Sequence, residues 1–178
     1  MSNPTAAKLK ILLAAAQVCT KHGASHLTLD RVAEQAALSK GGLLYHYPNK
    51  RALLEGMLNY LIDTTLQRQL RHRAQLKGSR RPFALSVLRG EIEQEPTELA
   101  MAQAILAVAA EDPKLLADAK PMLAHWFEQA SQEDGLSVAL VLAAQGLRFL
   151  RMLDMLPDQP DAALALTNQL QQLAEQAP

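Results

Sequence analysis

Between Leu27 and Ala52 the chain reads LTLDRVAEQAALSKGGLLYHYPNKRA, and this stretch constrains the fold more than any other. Thr28 and Ser39 are both suited to cap helix N-termini, where a side-chain oxygen accepts from a backbone N–H that has no partner inside the helix. Leu29, Val32, Ala33 and Ala36 give the first helix one apolar face. Ala37-Leu38 leaves room only for a tight connection. Pro48 ends the second helix, which is predicted to run from Lys40 to about Tyr47. Two short helices joined this closely make a helix-turn-helix, in which one packs across the other and the second keeps an outward face.

The spacing says which face that is. Leu43 and Tyr47 lie four apart and anchor the second helix inward, leaving Lys40, Gly41, Gly42, Leu44, Tyr45 and His46 for the outer side. Each has a use against duplex DNA. The hydroxyls of Thr28 and Ser39, with the free N–H groups beside them, suit phosphate oxygens. Lys40 reaches a guanine edge or a phosphate, and the glycines permit close approach to bases or sugars. Tyr45 and His46 combine an apolar ring with a polar tip. Lys50, opening the next helix, would face the DNA backbone.

A formal net charge of zero argues at first against a polyanionic partner. The distribution reverses that. Residues 1–81 carry 13 Lys and Arg against 4 Asp and Glu, and residues 82–178 carry 5 against 14. A basic first half joined to an acidic second half points to divided labour, with only the first part meeting nucleic acid.

The rest of the chain keeps a helical period. Leu and Ala are abundant and only 4% of residues are aromatic, too few to supply several strands. Asn3-Pro4 opens the first helix, which stops at Gly23. Asn49 caps a long fourth helix whose apolar positions run from Leu53 to Leu70, ending near Gly78-Ser79. The basic cluster Arg68, Arg71, His72, Arg73, Lys77, Arg80 and Arg81 reads as a solvated face of that region. Further helices are predicted over Phe83 to Ile92, Leu99 to Ala110, Pro113 to about Gln132, Leu136 to about Leu153, and Ala162 to Glu175. Pro121 should bend or split the third of these. Pro157 to Pro160 forms a turn, and Asp161 caps the last helix. The expected fold class is all-α, with a DNA-binding domain over residues 1–50 and a larger helical domain over residues 51–178.

The helix-turn-helix segment resembles the tetracycline-repressor (TetR) family of bacterial regulators. SKGGLLYHYPNKRALL follows that family's Ser-Lys-Gly-x-Leu-Tyr-x-x-Phe-x-x-Lys pattern without gaps, and TLDRVAEQAALS looks like the preceding helix and turn. The likeness covers about residues 8–58. Carried over by position, it implies DNA contacts from Thr28, Ser39, Lys40, Gly41, Gly42, Tyr45, His46 and Lys50. Gly42 stands where many members have Thr or Ser, and Leu44 where the family often has Tyr. Each departure removes a side-chain hydrogen bond. The resemblance further implies a sequence-specific repressor, released from a palindromic operator by a small-molecule inducer, and a homodimer formed through the last two helices. Leu140, Leu147, Leu150, Leu164, Leu166, Leu170 and Leu173 supply apolar surface for that pairing.

For the inducer, the candidate pocket residues are Met101, Ile105, Met122, Trp126, Phe127, Phe149 and Met152, with Gln145 and Arg148 as polar contacts; His125 and Gln103 are further polar candidates. Gln145 and Arg148 stand out because polar groups on so apolar a helix need partners, in a pocket or across a dimer. Nothing in the chain calls for a cofactor or metal. Paired Glu-x-x-His motifs of a helical di-metal enzyme do not occur, and Gly23 interrupts the helix between His22 and His26. No phosphate loop or nucleophile elbow appears, so an enzyme is not expected. The single Cys19 reads as a small buried apolar residue. The apolar stretch from Ser137 to Leu156 is broken by Gln145, Arg148, Arg151 and Asp154, a poor membrane span; a soluble cytoplasmic protein is expected. The alternative is a helical protein-binding adaptor without DNA-binding activity, which salt-dependent binding to duplex DNA separates from a regulator.

Overall fold

The computed structural model describes residues 6–110, 112–156 and 162–176. Among them the chain is helical throughout, with no strand. The expected helix opening at Asn3-Pro4, the turn at Pro157 to Pro160 and the cap at Asp161 lie outside the described residues. Two compact units form: one from residues 1–63 and 95–119, the other from residues 64–94 and 120–178. The units do not follow a division at residue 50.

In the first unit, helix α1 (Ala6–His22) packs on α2 (Leu29–Gln35) and on α6 (Pro96–Ala109), and α2 packs on α3 (Lys40–His46). Ile11, Ala15, Val32, Leu43, Met101 and Ala104 are fully buried there. Gly23 ends α1 at φ 84°, a conformation that glycine adopts without a Cβ penalty, and its N–H donates to the Cys19 carbonyl at 2.8 Å. Cys19 itself is buried. Burial pushes its thiol up to about 11, against the opposing pull of the Lys50 charge, so the group stays protonated and unreactive at neutral pH. The turn between α2 and α3 places Ala37 at φ 49°, in the left-handed region that disfavours a Cβ.

Helix α4 (Lys50–Gln75) contributes its first half to this unit and its second half to the other. It ends at Gln75, short of the expected Gly78-Ser79. Asn49 caps it, its Oδ1 accepting from the Ala52 N–H at 2.8 Å.

In the second unit, α5 (Pro82–Ile92) is the central helix, packing on α7 (Lys120–Glu133), α8 (Gly135–Met152) and α9 (Ala162–Gln176). Residues Phe83 to Leu88 are buried on every side, as a helix apolar all round requires. Trp126, Ala130, Leu140, Val141, Ala144, Leu147 and Ala174 complete the core. The predicted break at Pro121 takes the form of a split. A 3-10 segment, Pro113–Ala119, gives way to α7, and Pro121 falls in the first turn, where its missing N–H costs nothing. Asp134 caps α8, accepting from the Ser137 N–H at 2.7 Å.

The basic cluster is not simply a solvated face. Arg68 is buried and donates to the Gly90 carbonyl at 3.2 Å. Arg81, also buried, donates to Asp134 Oδ2 and to the Ala174 carbonyl, both at 2.6 Å. The Arg73 guanidinium lies 5.4 Å from the centre of the Phe83 ring. Two of these cations satisfy carbonyls near helix C-termini, where positive charge is favoured.

By length and composition α8 meets the requirement for a membrane span, with mean hydropathy 1.3. Its inner face nonetheless forms part of the second unit's core, and the guanidinium of Arg148 on it faces Glu91 at 3.9 Å. Leu140 and Leu147, expected at a dimer surface, belong to that core, and Leu170 packs against it. The periodicity that marks a face as apolar does not say which protein surface covers it. Leu142, Phe149 and Leu150 of α8 and Leu153 just after it stay exposed, as do Leu164, Leu166 and Leu173 of α9.

Candidate nucleic-acid interface

The reading surface is assembled by local capping and two inward anchors. Thr28 Oγ1 accepts from the Arg31 N–H at 3.3 Å, and Ser39 Oγ from the Gly42 N–H at 3.1 Å. Each cap satisfies one free donor and fixes where its helix begins. Leu43 and Tyr47 are buried, which turns the opposite side of α3 outward.

On that side Lys40 and Gly41 are exposed, and Tyr45 is 85% exposed, far more than a tyrosine normally is in a folded domain. Gly42, Leu44 and His46 are half-buried. The rings of Tyr45 and His46 meet edge to face, with centroids 5.1 Å apart, so each steadies the other. Thr28 and Ser39 are exposed, and Lys50 is half-buried at the first position of α4. Thus all eight residues expected at DNA lie in the helix-turn-helix segment or at the helix start that follows it.

The two glycines are informative because the fold does not demand the first. A Cβ at Gly41 would meet nothing within 4 Å, and one at Gly42 would stand 3.2 Å from Ser39 Oγ. Two glycines in a seven-residue helix forfeit helix propensity, about 1 kcal/mol each relative to alanine. No contact among the described residues requires that loss at Gly41. A partner approaching the backbone closely would.

Two acids near this surface escaped the sequence reading. Asp30, in the first turn of α2, places Oδ1 2.8 Å from Lys40 Nζ. Asp112 meets the Arg51 guanidinium at the start of α4, and Arg51 also donates to Glu55 at 2.8 Å. A residue's spacing along one helix does not reveal partners on another element.

The residues expected at a ligand pocket do not all come together. Met101 and Ile105 are buried on α6, in the first unit. Met122 and Phe127 pack against the core that holds Trp126, in the second. Phe149 is 51% exposed, and Met152 is half-buried at the end of α8. His125 is exposed and meets the Phe83 ring edge-on at 6.4 Å, and Gln103 is half-buried on α6. Arg148 is engaged by Glu91 within its own unit, a partner the sequence gave no reason to expect.

Several buried polar atoms of the second unit lack a hydrogen-bond partner among the described residues, among them Trp126 Nε1, Gln145 Nε2 and both ring nitrogens of His72. His72 Nε2 lies 3.2 Å from Glu93 Oε1, close enough for ionic attraction but not aligned as a hydrogen bond. Trp126 and Gln145 were among the candidate pocket residues; His72 was read only as part of the basic cluster.

Comparison with known proteins places these features among relatives. A sequence model of the bacterial regulatory proteins of the tetR family matches residues 11–57, and one of the tetracyclin repressor-like C-terminal domain matches residues 81–175. The HTH-type transcriptional regulator RutR of Escherichia coli (strain K12) is 36% identical over 80 residues, 45% of this chain and 34% of that one. The match thus spans about a third of the length of such curated relatives. A TetR-family transcriptional regulator from Rhodococcus sp. has the same fold, with TM-score 0.69 and 23% identity over 94% of this chain and 96% of that one. The multidrug binding protein EbrR, complexed with imidazole, gives TM-score 0.60 at 20% identity over 94% and 96%.

Proposed function

Because the chain belongs to the tetR family of bacterial regulatory proteins, we propose that it is a cytoplasmic transcriptional repressor, not an enzyme, which binds a palindromic operator as a homodimer and leaves it when a small molecule binds. Residues 1–50 read the duplex, and residues 51–178 carry sensing and dimerisation. The observation that carries this reading is the outer face of α3. Lys40, Gly41 and Tyr45 are exposed there, and the glycine answers no need of the protein's own packing. A protein-binding adaptor has no use for that combination beside two capped helix starts.

Thr28, Ser39 and Lys50 hold phosphates in this reading, and Lys40, Gly42, Tyr45 and His46 meet base edges or sugars. Selection from random duplexes yields the operator. Tyr45→Ala should then cost about 1–3 kcal/mol on it and less on unrelated DNA. Lys50→Ala should weaken both alike and flatten the salt dependence by about one unit. Wild-type protein that enriches no sequence and binds duplexes without salt dependence defeats the assignment.

The dimer forms through the exposed apolar faces of α8 and α9. A two-fold axis there sets two copies of α3 about one DNA turn, or a small multiple, apart.

For the inducer, the proposal rests on the buried N–H groups of Trp126 and Gln145, which have no acceptor among the described residues. An unpaired buried donor costs about 1–3 kcal/mol, which a ligand carbonyl or ether oxygen would recover. Met122 and Phe127 would add apolar lining, with Phe149 and Met152 as the remaining candidates in that unit; Met101 and Ile105 belong to the other unit and are not part of this site. Since Arg148 is matched by Glu91, a neutral ligand with acceptor atoms fits better than an anion. That EbrR was crystallised with imidazole supports small-molecule binding in this fold. Titrating such compounds should shift Trp126 fluorescence and lower operator affinity by about 1–3 kcal/mol. A compound that displaces the operator without touching the fluorescence would move the site elsewhere.

A further inference from the structure

The ion pair between Asp30 and Lys40 spans the turn of the helix-turn-helix, with Oδ1 2.8 Å from Nζ and side chains 69% and 63% exposed. So exposed a pair contributes little to holding the fold. Its position is more informative. Asp30 follows the Thr28 cap by two residues, and Lys40 follows the Ser39 cap by one. Both charges therefore sit in the first turns of α2 and α3, facing each other across the connection. An acid in the first turn suits helix α2 but repels a polyanion. The other acid of α2, Glu34, lies instead in a cleft with Val18, His22, Arg31 and Gln35.

We propose that Asp30 is a positioning and specificity-determining residue for DNA reading, which withholds Lys40 from indiscriminate phosphate contacts. The inference rests on the DNA-binding assignment above and adds a role to it. An unrestrained lysine has a four-carbon stem and a compact charge, so it finds a phosphate in almost any register. Paired with Asp30, its charge is partly offset and its ammonium biased toward the notch between α2 and α3. Only a duplex that brings an acceptor to that notch repays the exchange of Asp30 for DNA. Specificity is a difference of affinities, and an element that penalises the wrong partner raises it as surely as a new contact with the right one.

The test uses the full chain, the selected operator and an unrelated duplex, with affinity measured by fluorescence anisotropy over a range of salt. Asp30→Asn should raise affinity for the unrelated duplex about three-fold or more at 0.1 M salt and steepen log K against log salt by about one unit, as one added phosphate contact does. Operator affinity should rise less, so the specificity ratio falls. In a Lys40→Ala background the same substitution should have little effect. Should Asn lower thermal stability, Asp30→Ser keeps a helix-starting residue without the charge. An unchanged slope and ratio overturns the proposal. So does an equal gain with and without Lys40, because Asp30 would then act only as a repulsive charge. Wild-type protein that binds neither duplex overturns the DNA-binding assignment and this role with it, and that outcome is visible before any variant is compared.

Discussion

Tyr47 closes against Gly56 so tightly that a Cβ at position 56 would stand 2.5 Å from its Cε1 and 3.1 Å from its hydroxyl oxygen. Tyr47 ends the reading helix, and Gly56 lies in the second turn of α4. Together they fix where α3 stops and how closely it approaches the helix that follows.

Gly56→Ala should therefore destabilise the protein by about 1–3 kcal/mol through overpacking, although alanine is the better helix former. Operator binding should weaken with it, because Tyr47 must move. Tyr47→Leu in the same background should recover part of both losses. Urea unfolding and anisotropy provide the two readouts. A Gly56→Ala protein that is more stable than wild type and binds normally would show that the contact does not constrain α3.

Gly41→Ala makes the opposite case. Open space surrounds the added methyl group, so the variant should gain up to about 1 kcal/mol of stability. It should still bind the operator roughly ten-fold more weakly, a loss of about 1.4 kcal/mol, because the methyl group meets the DNA. Gain of stability with unchanged binding would remove Gly41 from the interface.

The exposed leucines of α9 separate assembly from folding. Leu166→Asp and Leu173→Asp place a charge on residues 43% and 60% exposed, so the monomer should keep its helicity while sedimentation shifts toward a single chain. Leu147→Asp should instead unfold the second unit, because an unpaired charge at a core position is costly. Dimers that survive both α9 substitutions would place the interface elsewhere.

Asp134 ties pH to stability. Partial burial alone would raise its pKa, but the Ser137 N–H and the Arg81 guanidinium together hold it below its usual 3.8. The stabilisation is complete above pH 3.8 and is lost as pH falls through the lower folded-state value. The urea midpoint of wild type should drop on acidification below that point. In Asp134→Asn the drop should be shallower, with a lower midpoint at neutral pH. Parallel pH profiles for the two proteins would remove Asp134 from the acid response.

Much of the helix-turn-helix was legible because its determinants are local. Thr28, Ser39 and Asn49 each bond to a backbone N–H three residues on, and Leu43 and Tyr47 are four apart on one helix. What was not legible is long-range. Arg148 finds Glu91, Arg81 reaches Asp134 and Ala174, and Lys40 finds Asp30 across a turn. Periodicity marked Leu147 and Leu166 alike as apolar, yet one faces the core and the other lies exposed. It likewise could not assign Met101 and Trp126 to different compact units. The Asp134 cap lies two residues before the helix start expected at Leu136, and its bond to the Ser137 N–H sets the true start at Gly135.

The two units are interleaved along the chain, since residues 95–119 return to the first after residues 64–94 have entered the second. A ribosome making this protein from its N-terminus therefore releases the whole DNA-reading segment well before the partner that buries α1 has been synthesised. The face of α1 that packs on α6 in the finished unit remains uncovered until α6 emerges. A fragment stopped near residue 50 would carry the reading helix but lack α6, leaving apolar surface of α1 open to self-association. The unit that holds the helix-turn-helix is thus completed only by sequence well downstream of the motif that defines it.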